Sequence, residues 1–148
     1  MKILNKSIYI IFIAFLFTTV INTSSFGEDI SNQQQKSETK VIAYYLHGSY
    51  RCPSCKTIEK WSHEAIKLNF QDELKNGKLV WKVLNFEEPQ NKHFIKDYSL
   101  YTKSLIISEV KGDKELKWKN LDKVWLLLRD QGKFFNYVES EIKKYLEN

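Results

Sequence analysis

Cysteine is rare in this chain of 148 residues, which has only Cys52 and Cys55. A disulfide between residues three positions apart closes a very short loop, so it removes little chain entropy and cannot by itself hold a fold together. Blocks of like charge are also missing, because 23 Lys and Arg residues alternate with 18 Asp and Glu residues. This pattern argues against nucleic-acid binding. The sequence has no internal repeat and no nucleotide, flavin or haem motif, so we expect no cofactor.

The first 27 residues have the pattern of an export signal. Lys2 and Lys6 form a basic start, residues 8–20 carry no charge, and small residues lead up to Gly27, after which we expect cleavage. The apolar run is shorter than the roughly 20 residues of a comfortable membrane span. The alternative is a signal anchor that stays uncleaved. In both cases we expect the remaining chain to be exported to a periplasmic or extracytoplasmic space, where disulfides persist.

The part of the chain after the signal divides into a linker and one domain. Residues 28–40 are polar and lack aromatic side chains, which predicts a flexible linker. Residues 41–148 have the length of one small domain. Its four tryptophans and other aromatic residues supply the apolar surface for a core.

The two cysteines lie between a predicted strand and a predicted helix. Residues 41–46 are apolar on both faces, which is typical of a central strand. A helical pattern begins at Pro53 or Ser54, and proline fits the first turn of a helix because no hydrogen bond is lost there. The N-terminus of a helix carries partial positive charge, which stabilises a thiolate. The sequence therefore predicts a thiol–disulfide site at Cys52 and Cys55.

The remaining patterns predict an α/β domain with the order β-α-β-α-β-β-α. The expected later strands are residues 79–86, 105–110 and 115–118, and the expected helices are residues 53–76 and 91–98 and a last helical region after residue 122. We expect Leu68 and Ile95 on inner helix faces, Asp122 as a helix cap and Gly132 as a helix break. These elements predict a mixed sheet of about four strands with helices on both faces, and the cysteines at the carboxyl end of the first strand.

This arrangement, with Cys-x-x-Cys at the first strand–helix junction, resembles the thioredoxin superfamily over nearly all of residues 41–148. More narrowly, residues 44–59 (Tyr-Tyr-Leu-His-Gly-Ser-Tyr-Arg-Cys-Pro-Ser-Cys-Lys-Thr-Ile-Glu) and residues 120–125 are similar to the ArsF-type thioredoxin-like proteins, which are small exported bacterial proteins. The resemblance implies a thioredoxin-like fold. It also implies that the partners are protein or small-molecule disulfides and thiols, with a redox partner that recycles the cysteine pair.

The chain departs from the superfamily pattern in the cysteine motif and in the segment that faces it. Arg51 replaces the usual tryptophan before the first cysteine, and Pro53 is the second rather than the third residue of the tetrapeptide. The proline that normally forms a cis peptide facing the disulfide is also missing, since Pro89 lies too early in the chain. We expect the facing position at residues 102–104, with a trans peptide, because a cis bond without proline costs ~3 kcal/mol.

The roles expected at the site follow from position in the helix. Cys52 at its start is expected to be the exposed attacking thiolate, and Cys55, one turn in, the buried resolving thiol. We expect the helix dipole and Arg51 to lower the pKa of the Cys52 thiol. His47 is interpreted as an ordinary loop histidine, with a proton-transfer role at Cys52 as the alternative.

Two other functions are compatible with the sequence. Cys52 and Cys55 are soft ligands for Cu(I), Zn(II) or arsenite, although His47 and His63 are too widely spaced along the chain to complete a good four-ligand site. The domain would otherwise serve as a non-catalytic thioredoxin-like subunit of a larger redox complex. In that case Trp118, the tryptophan expected to be most exposed, would contact the partner.

Overall fold

The computed structural model describes residues 38–147. The predicted signal segment 1–27 with its cleavage position Gly27, and most of the predicted linker, lie outside these residues. Within the described part, no helix has both the length and the hydropathy that crossing a membrane requires. The elements follow in the order β1 Thr39–His47, α1 Pro53–Asn69, α2 Gln71–Asn76, β2 Leu79–Asn85, α3 His93–Asp97, β3 Ser104–Lys111, β4 Lys114–Asn120 and α4 Gln131–Leu146, with 3₁₀ turns at Pro89–Asn91 and Asp122–Trp125.

The four strands form one mixed sheet in the order β2-β1-β3-β4. β1 runs parallel to β2 and antiparallel to β3, and β4 is antiparallel to β3. The helical crossover of α1 and α2 makes the parallel pair possible. The predicted fold class, an α/β domain with a mixed sheet of about four strands, is confirmed.

The first strand begins two residues earlier than the sequence predicts. Thr39 and Lys40, which we assigned to the linker, pair with Lys111 and Val110 of β3. Both side chains are exposed, so they add no apolar signal from which the sequence pattern could place the start of the strand.

Alternate residues of β1 face two different hydrophobic clusters. Val41, Ala43 and Tyr45 pack with α1 and α4 in the larger one, and Ile42 and Tyr44 pack with α3 in the smaller one. The strand contributes to both clusters because successive side chains of a strand point to opposite faces of the sheet. Helices therefore cover both faces, and the first strand is the centre of the domain.

The segment after the cysteines is two helices rather than the one predicted helix. Phe70 leaves the helical conformation, with φ −134° and ψ 41°, and its side chain is buried. α2 then ends at Gly77, whose φ of 80° is favourable for glycine. Leu68 is 65% exposed, so its expected inner position is wrong. The buried face of α1 consists of Cys55, Ile58, Ser62, Ala65 and Ile66.

The predicted start and break of the last helical region are also wrong. Asp122 makes no capping hydrogen bond and is itself the first residue of a 3₁₀ turn, whose capping position is Leu121. Asp130 is the actual N-cap of α4, because its Oδ1 accepts a hydrogen bond from the Lys133 backbone N–H at 3.0 Å. Gly132 is the second residue of this helix and does not interrupt it. Ile95 is 41% exposed instead of facing inward, because α3 is a single turn that buries Tyr98 just beyond its end.

Candidate redox site

The two cysteines are joined at the carboxyl end of β1. Cys52 and Cys55 form a disulfide, with their Cα atoms 5.1 Å apart. Cys52 directly precedes α1, and Cys55 lies in its first turn. The predicted position, at the junction of the first strand and the first long helix, is where the structure places the pair.

The two sulfur atoms have different surroundings. Cys52 is partly exposed, whereas Cys55 is completely buried among the core residues. Cys52 is the N-cap residue of α1, and its Sγ accepts a hydrogen bond from the Cys55 backbone N–H at 3.2 Å. An N–H directed at the sulfur stabilises negative charge on it. In the reduced protein, the accessible sulfur is therefore also the one that the helix terminus stabilises as a thiolate.

Pro53 holds this geometry without losing a hydrogen bond. It is the first residue of α1, where the backbone N–H would have no partner inside the helix. The helix continues normally after it, since the Lys56 N–H donates to the Cys52 carbonyl oxygen at 3.1 Å. Seventeen residues of helix then align their dipoles toward Cys52.

Arg51 is part of a chain of polar contacts that the sequence did not indicate. Its guanidinium forms an ion pair with Glu59, two turns along α1, and its Nη1 lies 3.2 Å from Nε2 of His47. The Glu59 side chain is only 30% exposed. The Glu59 carboxylate therefore balances the charge of Arg51, so Arg51 stabilises a Cys52 thiolate less than an unpaired arginine would.

Both ring nitrogens of His47 are engaged. Nδ1 lies 2.8 Å from the carbonyl oxygen of Gly48, so it carries the proton and donates it there. Nε2 then accepts the hydrogen bond from Arg51. His47 is the last residue of β1 and pairs with Asn85 of β2, so its expected place in the loop is wrong. Its ring contacts favour a structural role over a proton-transfer role at Cys52.

Tyr45 contacts the cysteine pair from the sheet, and the sequence prediction did not include this residue in the site. Its hydroxyl donates to the Cys55 carbonyl oxygen at 2.7 Å, and the Arg51 guanidinium carbon lies 5.8 Å from the centre of its ring. Burial raises the pKa of Tyr45 to about 12, although Arg51 opposes the shift. The phenol therefore stays protonated and keeps donating at ordinary pH. Its place in β1, on the face that carries α1, was the available signal.

The loop before the cysteines is fixed against the end of β2. The Ser49 N–H donates to Glu87 Oε2 at 3.0 Å, and hydrogen bonds from Ser49 lower the pKa of the Glu87 carboxyl. A Cβ at Gly48 would lie 2.5 Å from Glu87 Oε1, so a larger residue there would require the Glu87 carboxylate to move. The loop therefore presents Arg51 and Cys52 in a defined position.

The segment at residues 102–104 is trans, as expected, since the described residues contain no cis peptide bond. Lys103 places its Nζ 5.8 Å from the ring centre of Tyr50, and its carbonyl oxygen accepts a hydrogen bond from Trp125 Nε1 at 3.1 Å. The first contact joins the segment to the loop that precedes Cys52, and the second joins it to the 3₁₀ turn Asp122–Trp125. Tyr50 is largely exposed, so the surface beside Cys52 is partly aromatic.

The wider set of possible metal ligands is not assembled. The ring of His63 stacks on Trp81 with a centroid separation of 5.9 Å, which commits it to a different contact. Among residues 38–147, no group of three or more His, Cys, Asp or Glu side chains is arranged to hold a metal ion. The arrangement that remains is a dithiol–disulfide pair with one accessible and one buried sulfur.

Comparisons with known proteins add a limited likeness. No protein-family model matches the sequence, and no curated protein matches it. Among solved structures, a malarial protein is similar at 18% identity and a TM-score of 0.42, over 72% of this chain and 98% of that one. Thioredoxin from Trypanosoma brucei brucei is similar at 15% identity and a TM-score of 0.41, over 74% and 80% of the two chains. Fasciola hepatica thioredoxin is similar at 14% identity and a TM-score of 0.38, over 70% and 86%.

Proposed function

We propose that this protein is a thiol–disulfide oxidoreductase in which Cys52 is the attacking thiolate and Cys55 the resolving thiol. The observation that carries the proposal is the contrast between the two sulfurs. Cys52 is partly exposed and accepts the Cys55 N–H at the start of α1, while Cys55 is fully buried. Attack from outside is therefore directed to Cys52, and resolution is left to Cys55.

The exchange consists of two displacements that balance. The Cys52 thiolate attacks one sulfur of a client disulfide, forms a mixed disulfide and releases the other client sulfur as a thiolate, which takes up a proton. Cys55 then loses its proton and attacks Cys52 Sγ, forming the intramolecular disulfide and releasing the second client thiol. The client gains two electrons and the Cys52–Cys55 pair loses two. Recycling requires an external dithiol, and the reverse sequence oxidises a client dithiol.

Replacing each cysteine separately tests the assignment of roles. We expect Cys52→Ser to abolish reduction of insulin by dithiothreitol-driven turnover, because the accessible nucleophile is gone. We expect Cys55→Ser to abolish turnover as well but to accumulate a mixed disulfide at Cys52, which mass spectrometry of the digested protein detects. Ser54→Ala, between the two cysteines, is the control and should retain wild-type turnover. Turnover by Cys52→Ser, or a mixed disulfide mapped to Cys55 in the wild type, would show that the roles are wrong.

We further propose that the chain is exported and processed after Gly27. The support is the basic start at Lys2 and Lys6, the uncharged residues 8–20 and the small residues before position 28. Expression of the full chain with a carboxyl-terminal tag in a bacterial host, followed by amino-terminal sequencing, should give a product that starts near Glu28 in the extracytoplasmic fraction. An intact Met1 in the cytoplasmic fraction would contradict export.

The narrower likeness to ArsF-type proteins belongs to the same proposal. It rests on the sequence of residues 44–59 and 120–125. Clients and recycling partners are proposed only as a class, namely proteins or small molecules that carry disulfides or thiols.

A further inference from the structure

A cavity of about 450 Å³ lies on the sheet face opposite α1. It is bordered by the first half of β1, by α3 and by the β3–β4 hairpin. Its volume falls within the ~300–1,000 Å³ typical of small-molecule sites. The cavity opens beside Lys40 and Tyr44 of β1, whereas Cys52 follows the other end of that strand. It is therefore separate from the redox site.

Three aromatic rings form one wall of the cavity. Tyr44, Phe94 and Tyr98 pack on one another, with ring centres 5.3, 5.7 and 6.3 Å apart. Burial raises the pKa of both tyrosines, and Glu115 raises it further. The phenols therefore stay neutral, and their electron-rich rings favour a cation over an anion.

Glu115 supplies a carboxylate at a fixed position beside these rings. Its Oε1 accepts hydrogen bonds from the hydroxyls of Tyr98, at 2.7 Å, and Ser108. Both bonds end on the same oxygen, so the other oxygen has lone pairs available to a ligand. Glu115 itself is solvent-accessible and lines the cavity. A carboxylate that is already oriented loses little side-chain entropy when it binds a ligand.

Among the residues that line the cavity, negative charge exceeds positive charge, while outside the lining the Lys82 ammonium lies 5.8 Å from the centre of the Tyr44 ring. Asp97 and Asp113 line the cavity together with Glu115, against the ammonium of Lys40 and the imidazole of His93. His93 is already hydrogen-bonded to Asp97, with Nδ1 and Oδ2 2.7 Å apart. The combination of aromatic wall, oriented carboxylate and excess negative charge is complementary to an organic cation that also carries apolar surface.

We infer that this cavity is a binding site for a small organic ammonium ion, with the ammonium group held by Glu115 and the apolar part packed against Tyr44, Phe94 and Tyr98. The site does not depend on the cysteine pair. Asp113, at the tip of the hairpin, adds long-range attraction and no direct contact with the rings. A neutral ligand of the same shape would lose the charge-assisted hydrogen bond.

Calorimetric titration of the full-length oxidised protein tests the inference with three probes of similar shape. Benzylammonium should bind with one-to-one stoichiometry, benzyl alcohol at least tenfold more weakly, and benzoate not at all. Nuclear magnetic resonance of the same samples should place the largest benzylammonium-induced shifts on Tyr44, Phe94 and Tyr98. No saturable binding of benzylammonium up to 20 mM, or equal affinity for benzyl alcohol, would overturn the inference.

Variants that remove one negative charge distinguish direct binding of the ammonium group by Glu115 from nonspecific electrostatic attraction. Glu115→Gln should weaken benzylammonium binding at least tenfold, while keeping an amide oxygen for the two hydroxyls. Asp113→Asn should weaken it only about two- to threefold. Asp72→Asn, an exposed carboxylate on α2 that does not line the cavity, is the control and should leave affinity unchanged. The inference would be contradicted if Asp113→Asn and Glu115→Gln each had native circular dichroism and bound benzylammonium as tightly as the wild type. It would also be contradicted if Asp72→Asn lost as much affinity as Glu115→Gln.

Discussion

The electrostatic effect of Arg51 on the neighbouring Cys52 depends on the side chains that Arg51 contacts. An arginine next to Cys52 predicts a more stable thiolate, because an opposite charge favours the ionised form. In the structure, however, the guanidinium is paired with Glu59 and donates to Nε2 of His47. Glu59 therefore both compensates the arginine and brings a negative charge toward the site. We expect Glu59 to restrain the reactivity of Cys52.

Glu59→Gln tests this at the scale of a single residue. Removing the carboxylate removes one negative charge and frees the Arg51 guanidinium, and both changes lower the pKa of the Cys52 thiol in the reduced protein. We expect the rate of iodoacetamide alkylation at pH 6 to rise about threefold, because the thiolate fraction rises. Glu64→Gln, on the same helix and paired with the exposed Lys60, should leave the rate unchanged. A slower alkylation rate in Glu59→Gln would contradict this prediction. It would mean that the ion pair with Glu59 holds the Arg51 guanidinium near Cys52.

The sequence indicated where the cysteine pair lies but not which side chains contact it. Cys52, Cys55 and Pro53 could be assigned from spacing and position alone, since the start of a helix after a buried strand is a strong local pattern. The contributions of Glu59 and Tyr45 depend on which side chains the turn of α1 and the pleat of β1 bring together. Such contacts between residues 8 and 10 positions apart require the orientation of the loop between strand and helix, which no residue pattern specifies.

At the scale of elements, Asp130 caps a helix with its carboxylate, whereas Asp122 does not. Asp130 Oδ1 accepts the Lys133 N–H at the start of α4, and this hydrogen bond lowers the pKa of the Asp130 carboxyl from its ordinary 3.8. Asp122 is the first residue of a 3₁₀ turn whose capping position is Leu121, and it makes no capping hydrogen bond. A carboxylate whose pKa is lower in the folded state stabilises the fold above its ordinary pKa, and this contribution is lost as the pH falls through the lowered value.

Thermal unfolding of two alanine variants tests the assignment of the helix cap. We expect Asp130→Ala to lower the midpoint at pH 7 by roughly 3–6 °C, because α4 loses its N-cap. The difference from wild type should shrink as the pH falls below 3.8, where the wild-type carboxyl also becomes protonated. Asp122→Ala should change the midpoint by less than about 1 °C. A larger loss in Asp122→Ala than in Asp130→Ala would contradict the helix boundaries.

The errors in the predicted helices have a common physical origin. Phe70 interrupts the helix because its side chain is drawn into the core, and this tertiary contact outweighs local helix propensity. Gly132 is tolerated in the first turn of α4, where the Asp130 cap stabilises the helix start. In the predicted helical segment after residue 122, only Asp122–Trp125 form a 3₁₀ turn, although Val124, Trp125, Leu127 and Leu128 are apolar. Strands and long helices were therefore predictable, whereas helix boundaries and this short segment were not.

At the scale of the whole domain, the order of elements was predictable because each has a strong pattern. The first strand is apolar on both faces, and the crossover is long enough for a parallel pair. These features correctly predict the mixed sheet with β1 at its centre. The cavity on the opposite face was not predictable, because Tyr44, Tyr98 and Glu115 come from three distant segments.

The two faces of the sheet separate two kinds of chemistry. The face that carries α1 and α4 supports the cysteine pair, and the face that carries α3 holds the aromatic cavity. β1 contributes to both, through Tyr45 on one face and Tyr44 on the other. Since no residue lines both sites, we expect occupancy of the cavity to leave exchange at the cysteines unchanged.

The most direct measurement is the relative reactivity of the two thiols in the reduced wild-type protein. Reduced protein is alkylated with limiting iodoacetamide at pH 6, digested, and analysed by mass spectrometry for modification at each cysteine. The exposed Cys52, stabilised by the start of α1, should react on the order of 100 times faster than the buried Cys55. Equal modification of the two cysteines, or faster modification of Cys55, would contradict the assignment of Cys52 as the nucleophile.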